Sequence, residues 1–148
     1  MEIIIVILGL ILDRVLKIWS LNYLQKVNEI NVINNYFSFL FVKNKGAAFG
    51  IFQNKVIILS IITSIVTLAL IFYLIKYRPK NKLLRISLSL IISGAIGNLA
   101  DRVYYGFVVD FISLHYKTAY YFAVFNIADS LVVIGTILLA IYILKEGK

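Results

Sequence analysis

Residues 56 to 75, Val56 through Ile75, contain no charged side chain. A helix of that length crosses a hydrocarbon core of about 30 Å, and in lipid only helices and closed barrels satisfy every backbone polar group. The run is followed by Lys76-Tyr77-Arg78-Pro79-Lys80-Asn81-Lys82-Leu83-Leu84-Arg85, with five basic residues and no acid. Its proline, the only one in the chain, stops the helix, and the clustered cations mark a cytoplasmic loop. Three more segments of spanning length lie at about residues 3–24, 83–103 and 126–144. With 61% hydrophobic and 15% charged residues in 148, the chain reads as one all-α membrane domain, residues 1–148, with four transmembrane helices. The first helix is the impure one, because Asp13, Arg14 and Lys17 must face protein or water. It lacks a basic n-region and a small-residue cleavage site, so it reads as a retained helix rather than a leader.

This topology puts both termini in the cytoplasm, the second beside Lys145 and Lys148, and segments 25–55 and 104–125 on the outer face. The first outer segment holds Tyr36-Phe37-Ser38-Phe39-Leu40-Phe41-Val42, a β-prone aromatic stretch. Short strands are expected there, forming a small β-rich extracytoplasmic platform. Interfacial anchoring would use the same aromatics. The net charge of +8 sits at segment ends, as topology requires, and not on a face suited to nucleic acid. The chain has no cysteine, which excludes disulfides, thiolate metal ligands and a cysteine nucleophile. His115 is the single histidine, which argues against zinc. No cofactor and no metal are expected.

Glu2, Glu29 and Glu146 lie in terminal or loop segments where charge is cheap, but the four aspartates do not. Asp13 is well along the first helix, Asp101 near the end of the third, Asp110 just beyond it, and Asp129 about one turn into the fourth. The topology sends all four toward the outer half of the bilayer, where they can converge. Helical spacing adds partners: Asp13 with Lys17, Asn98 with Asp101 and Arg102, and Asn126 with Asp129. Ser93, Gly94 and Gly97 offer a small-residue face for close helix approach. Asp13 with Lys17 and Asp101 with Arg102 can be read as ion pairs that fix helix register. Asp110 and Asp129 have no neighbouring cation in the sequence, and two such acids suggest a dyad in which one stays protonated while the other activates water. Aspartic peptidase chemistry fits this pattern, and so does a small proton-coupled membrane carrier.

Four blocks then stand in order: Asp13-Arg14-Val15-Leu16-Lys17; Asn44-Lys45-Gly46-Ala47-Ala48-Phe49-Gly50; Gly97-Asn98-Leu99-Ala100-Asp101-Arg102 with Gly106-Phe107-Val108-Val109-Asp110-Phe111; and Phe125-Asn126-Ile127-Ala128-Asp129-Ser130. Nearly the whole chain resembles the lipoprotein signal peptidases (signal peptidase II), bacterial intramembrane aspartic peptidases. Leu16 stands where that family commonly has a small hydroxyl residue, and Ser93-Gly94 replaces a glycine pair.

The resemblance implies a catalytic dyad of Asp110 and Asp129. It gives Asn98, Asp101, Arg102 and Asn126 supporting roles, assigns Asn44 and Gly46 to a substrate-facing loop, and makes Asp13 and Lys17 residues that stabilise the fold. It further implies removal of the signal peptide from a diacylglyceryl-modified prolipoprotein just before the lipidated cysteine, and inhibition by globomycin. The site is expected near the outer face of a bacterial inner membrane, in a chain that works as a monomer among membrane lipid.

Overall fold

The computed structural model describes residues 1–46, 52–116 and 120–146. Helix α1 (Glu2–Trp19) runs into a π-helical turn, Ser20–Leu24, and a last short turn α2 (Gln25–Val27). Strands β1 (Glu29–Ile33) and β2 (Phe37–Asn44) follow, then helices α3 (Val56–Tyr77) and α4 (Lys82–Tyr105). Strands β3 (Val108–Tyr116) and β4 (Tyr120–Tyr121) precede helix α5 (Ile127–Glu146). The four long helices fall on the expected segments, each within a few residues of its expected bounds.

Three of them, α3, α4 and α5, are long and apolar enough to cross a membrane by length and composition. The fourth long helix, α1, does not meet that measure, because it carries Glu2, Asp13, Arg14 and Lys17 within its eighteen residues. Asp13 and Lys17 are the two residues that α1 buries, so this pair faces protein, while Arg14 stays partly exposed. Helix α3 shows the opposite pattern: Ile57, Ile65, Leu68 and Ile75 are all more than 60% exposed, as a lipid-facing surface would be.

Helix α4 is the centre of the bundle and packs on α1, α3 and α5. Its buried face combines Leu84, Leu88 and Ile92 with small and polar residues, Ser87, Ser89, Ser93, Gly94, Gly97, Asn98 and Asp101. Small side chains let helix backbones approach in lipid, where the hydrophobic effect does not drive helices together. A Cβ on Gly94 would fall on the carbonyl oxygen of Ala128 in α5, so that contact is backbone against backbone. Ser93 Oγ donates to the Val6 carbonyl of α1 at 3.1 Å.

The sheet order is β1-β2-β3-β4, antiparallel throughout. The expected small sheet is there, and segment 104–125 supplies half of it. The sheet covers the π-helical turn, where Leu24, Val109 and Phe111 form a core packed by Trp19 and Phe39. Trp19 meets the Phe39 ring edge-on at 5.3 Å.

The opposite end of the bundle is tied by polar contacts. Asn81 caps α4 by accepting from Leu83 N at 2.9 Å and Leu84 N at 3.3 Å. Its amide donates to Glu146 at 3.2 Å, and Arg85 pairs with Glu2. Both ends of the described chain therefore lie beside the basic loop.

Candidate active site

The first turn of α5 explains the position of Asp129. Asn126 Oδ1 accepts from Asp129 N at 2.9 Å, and Asp129 Oδ2 accepts from Asn126 N at 3.2 Å. This reciprocal pair is a capping box, with Asp in the third position. A further orphan donor of that turn, Ala128 N, donates across the bundle to Asp13 Oδ1 at 2.9 Å.

Asp110 arrives from the other side. Gly106 ends α4 with φ 73°, its N–H donating to the Arg102 carbonyl at 3.1 Å. No atom crowds its missing Cβ, so the left-handed backbone alone calls for glycine. The chain turns back into β3, where Val109 N donates to Asp101 Oδ2 at 3.1 Å. A bulge in β2 between Phe39 and Val42 resets the pairing so that Val42 opposes Asp110 and Asn44 opposes Val108. Asn44 and Asp110 are then diagonal neighbours on one face, and Asn44 Nδ2 donates to Asp110 Oδ2 at 2.8 Å.

Three carboxamides hold the two acids. Asn126 Nδ2 donates to Asp110 Oδ1 at 2.7 Å, and Asn98 Nδ2 donates to Asp129 Oδ1 at 2.7 Å. Each amide has its orientation fixed, because its oxygen accepts from a group that can only donate. Gly46 N donates to Asn44 Oδ1 at 2.8 Å, Asp129 N to Asn126 Oδ1, and Lys17 Nζ to Asn98 Oδ1 at 3.0 Å. Every oxygen of Asp110 and Asp129 thus accepts one positioned N–H. Asp110 is 1% exposed. Burial, together with the negative charge of Asp129, pushes its carboxyl up to about 7 against the pull of Asn44, Asn126 and Lys17.

Beneath the acids lies a neutral charge network. Lys17 is fully buried and donates to Asp13 Oδ2 at 2.9 Å and to Asp101 Oδ2 at 3.1 Å as well as to Asn98. Arg14 completes it, bonding Asp101 Oδ1 at 3.1 Å and Tyr105 Oη at 2.9 Å. The expected Asp13–Lys17 pair is present. The expected Asp101–Arg102 pair is corrected: Asp101 turns to Lys17 and Arg14 of α1. Arg102 bonds the Gly46 carbonyl at 3.2 Å and lies within electrostatic reach of Asp129, Asp110 and Asp101. It thereby anchors the end of β2 to α4. The remainder of that loop motif, residues 47 to 50, lies outside the described residues.

Asn44, Asn98, Arg102, Asp110 and Asp129 line one cavity of about 940 Å³. Its apolar lining includes Ile62 and Val66 of α3, Ile91 and Ala95 of α4, and Val132 and Val133 of α5. Sequence reasoning did not find these wall residues, since nothing separates them from lipid-facing neighbours in the same helices. It also gave no role to Tyr105, whose hydroxyl is positioned only by the fold. Two carboxyls in a mostly apolar cleft, one of them holding its proton to near neutrality, can run acid–base chemistry on an extended chain laid across them.

The family model for signal peptidase (SPase) II matches residues 5–145 of this chain. The chain belongs to the signal peptidase II family. It is 54% identical over 148 residues to the lipoprotein signal peptidase of Clostridium novyi (strain NT), with all of both chains covered. The lipoprotein signal peptidase of Clostridium acetobutylicum is 57% identical over 149 residues, which cover 100% of this chain and 97% of that one. A solved structure described as a bacterial membrane enzyme at 2.3 Å resolution aligns with a TM-score of 0.90 and 36% identity, covering 99% of this chain and 89% of that one. The chain is thus a multi-pass membrane peptidase that removes signal peptides from prolipoproteins. The carrier reading finds no support in these relatives.

Proposed function

We propose that the peptidase is of the aspartic type, with Asp110 and Asp129 as its catalytic pair, working as a single domain and a monomer. The observation that carries this is the treatment of the four aspartates. Asp13 and Asp101 are neutralised by Lys17 and Arg14, whereas among the described residues the hydrogen bonds to Asp110 and Asp129 come only from carboxamide and backbone N–H groups.

The pair shares one proton, held by Asp110. Asp129 takes a proton from water as the water oxygen attacks the scissile carbonyl carbon, and Asp110 gives its proton to the carbonyl oxygen. In the resulting diol, Asp110 recovers a proton from one hydroxyl while Asp129 protonates the leaving nitrogen and the C–N bond breaks. No covalent intermediate forms. The amide donors keep both carboxyls aimed at the reacting carbon throughout.

The substrate is a prolipoprotein whose cysteine already carries diacylglyceryl, cut just before that cysteine, with globomycin competing for the same cleft. Helix α1 serves as a fourth crossing, its charged face turned to α4 and α5. Both termini and the basic loop are cytoplasmic, which leaves the acids at the outer face of the inner membrane, beside the lipid-anchored cysteine.

The test is cleavage of a diacylglyceryl-modified prolipoprotein by the purified protein, followed by gel shift, for the parent, Asp110→Asn and Asp129→Asn. Cleavage by the parent and none by either folded variant is the expected result. Cleavage by both variants would remove the pair from the chemistry.

A further inference from the structure

Lys17 is more deeply placed than an ion-pair partner needs to be. Its ammonium has three hydrogens and three acceptors: Asp13 Oδ2, Asp101 Oδ2 and Asn98 Oδ1, at 2.9, 3.1 and 3.0 Å. Two of these are carboxylates, which would suffice to neutralise it. The third is the carboxamide that turns its Nδ2 to Asp129 at 2.7 Å. Asn98 Oδ1 also accepts from Asn126 Nδ2 at 3.1 Å, but that amide gives its shorter bond to Asp110 at 2.7 Å. Ammonium can only donate and carboxylate can only accept, so a lysine on one side and Asp129 on the other leave Asn98 a single orientation.

We infer that Lys17 is a positioning residue for the reaction, acting through Asn98 to hold an N–H against Asp129. This inference rests on the assignment of Asp110 and Asp129 as the catalytic pair. The charged groups facing Lys17 are Asp13 on its own helix and Asp101 on α4. Beyond them stand Arg14, paired with Asp101, and the two aspartates reached through the amides. With Lys17 replaced by an apolar residue, Asn98 can turn over and present its carbonyl oxygen to Asp129. That arrangement opposes ionisation of the pair and misaims the carboxyl. A lysine that only neutralised Asp13 and Asp101 would stabilise the bundle and leave the chemistry untouched.

The experiment is a double-mutant cycle on prolipoprotein cleavage with Lys17→Met, Asn98→Leu and the two together, each scored per folded molecule across pH. Loss of one hydrogen bond to a charged group predicts a fall in kcat of roughly tenfold to a hundredfold for Lys17→Met. The acidic limb of the pH–rate profile should move up by about one pH unit. The double variant should be no slower than Asn98→Leu alone. Additive losses in the cycle, or an unmoved acidic limb, overturn the inference.

If Lys17→Met does not fold, Lys17→Met with Asp13→Asn, in which the buried charges again cancel, takes its place. Recovery of parental kcat and pH profile in that balanced variant also overturns it. Failure of the catalytic assignment itself would be recognised separately, by cleavage persisting in Asp110→Asn and Asp129→Asn.

Discussion

Asp110→Asn should yield a protein that is inactive yet more stable than its parent above neutral pH. Holding the Asp110 proton to about 7 rather than 3.8 makes its ionisation in the fold cost about 4 kcal/mol more than in the unfolded chain, at about 1.4 kcal/mol per pH unit. Asparagine carries no such cost. It accepts with one end only, so one of the two bonds from Asn44 and Asn126 is lost, which removes about 1 kcal/mol. A net gain of about 3 kcal/mol remains above pH 7.

The sign sets the pH window. A carboxyl whose folded pKa is raised favours the fold below its ordinary value, and that advantage drains away as pH rises from about 4 to about 7. The parent should lose stability across that interval and then level off, while the variant should not. Melting of both proteins in detergent at pH 4, 5.5, 7 and 8 reads the difference directly. A gap that opens with pH and is flat above 7 supports the reasoning. A pH-independent gap, or a variant that is less stable at pH 8, refutes the account of Asp110 as a buried, proton-holding acid.

Asn44→Leu removes a donor that favours the charged form of Asp110, so the basic limb of the pH–rate profile should move up by about one unit; a downward shift in cleavage assays would count against it. Gly94→Ala would drive a methyl group onto the Ala128 carbonyl in the first turn of α5. Melting should show a loss of about 1–3 kcal/mol, with reduced kcat because the same turn carries Asp129. Asp13→Leu leaves Lys17 short of an acid and Ala128 N without its cap, and should cost about 3–5 kcal/mol in thermal unfolding.

What the sequence made legible was local. The uncharged run of α3 and the basic turn after it needed only length and charge. Asp13 with Lys17 and Asn126 with Asp129 were visible because both partners lie within one turn. The contacts that assemble the site join residues far apart: Asp101 to Arg14 and Lys17, Asn44 to Asp110, and Asn98 to Asp129. Adjacency in the sequence offered Arg102 to Asp101, and the packing of α1 against α4 overruled it with a fully buried lysine. Strand β3 did carry a signal in its β-branched and aromatic residues from Val108 to Ile112. The bulge that brings Asn44 diagonal to Asp110 left none.

The division among the aspartates also bears on why the site uses amides where lysine or arginine would bind a carboxylate more strongly. A salt bridge to Asp110 or Asp129 would favour the ionised form strongly and leave a weak base with no proton to share. Asparagine donates without bringing a full charge, so it aims the carboxyl while burial and the neighbouring acid keep a proton available near neutral pH. Lys17 supplies the orientation from one hydrogen bond further away, its own charge already spent on Asp13 and Asp101. On this reasoning Asn98→Lys, which would put a cation directly against Asp129, should abolish cleavage even if the protein folds. Activity in that variant, measured per folded molecule, would show that the pair tolerates full ionisation and would remove the case for a shared proton.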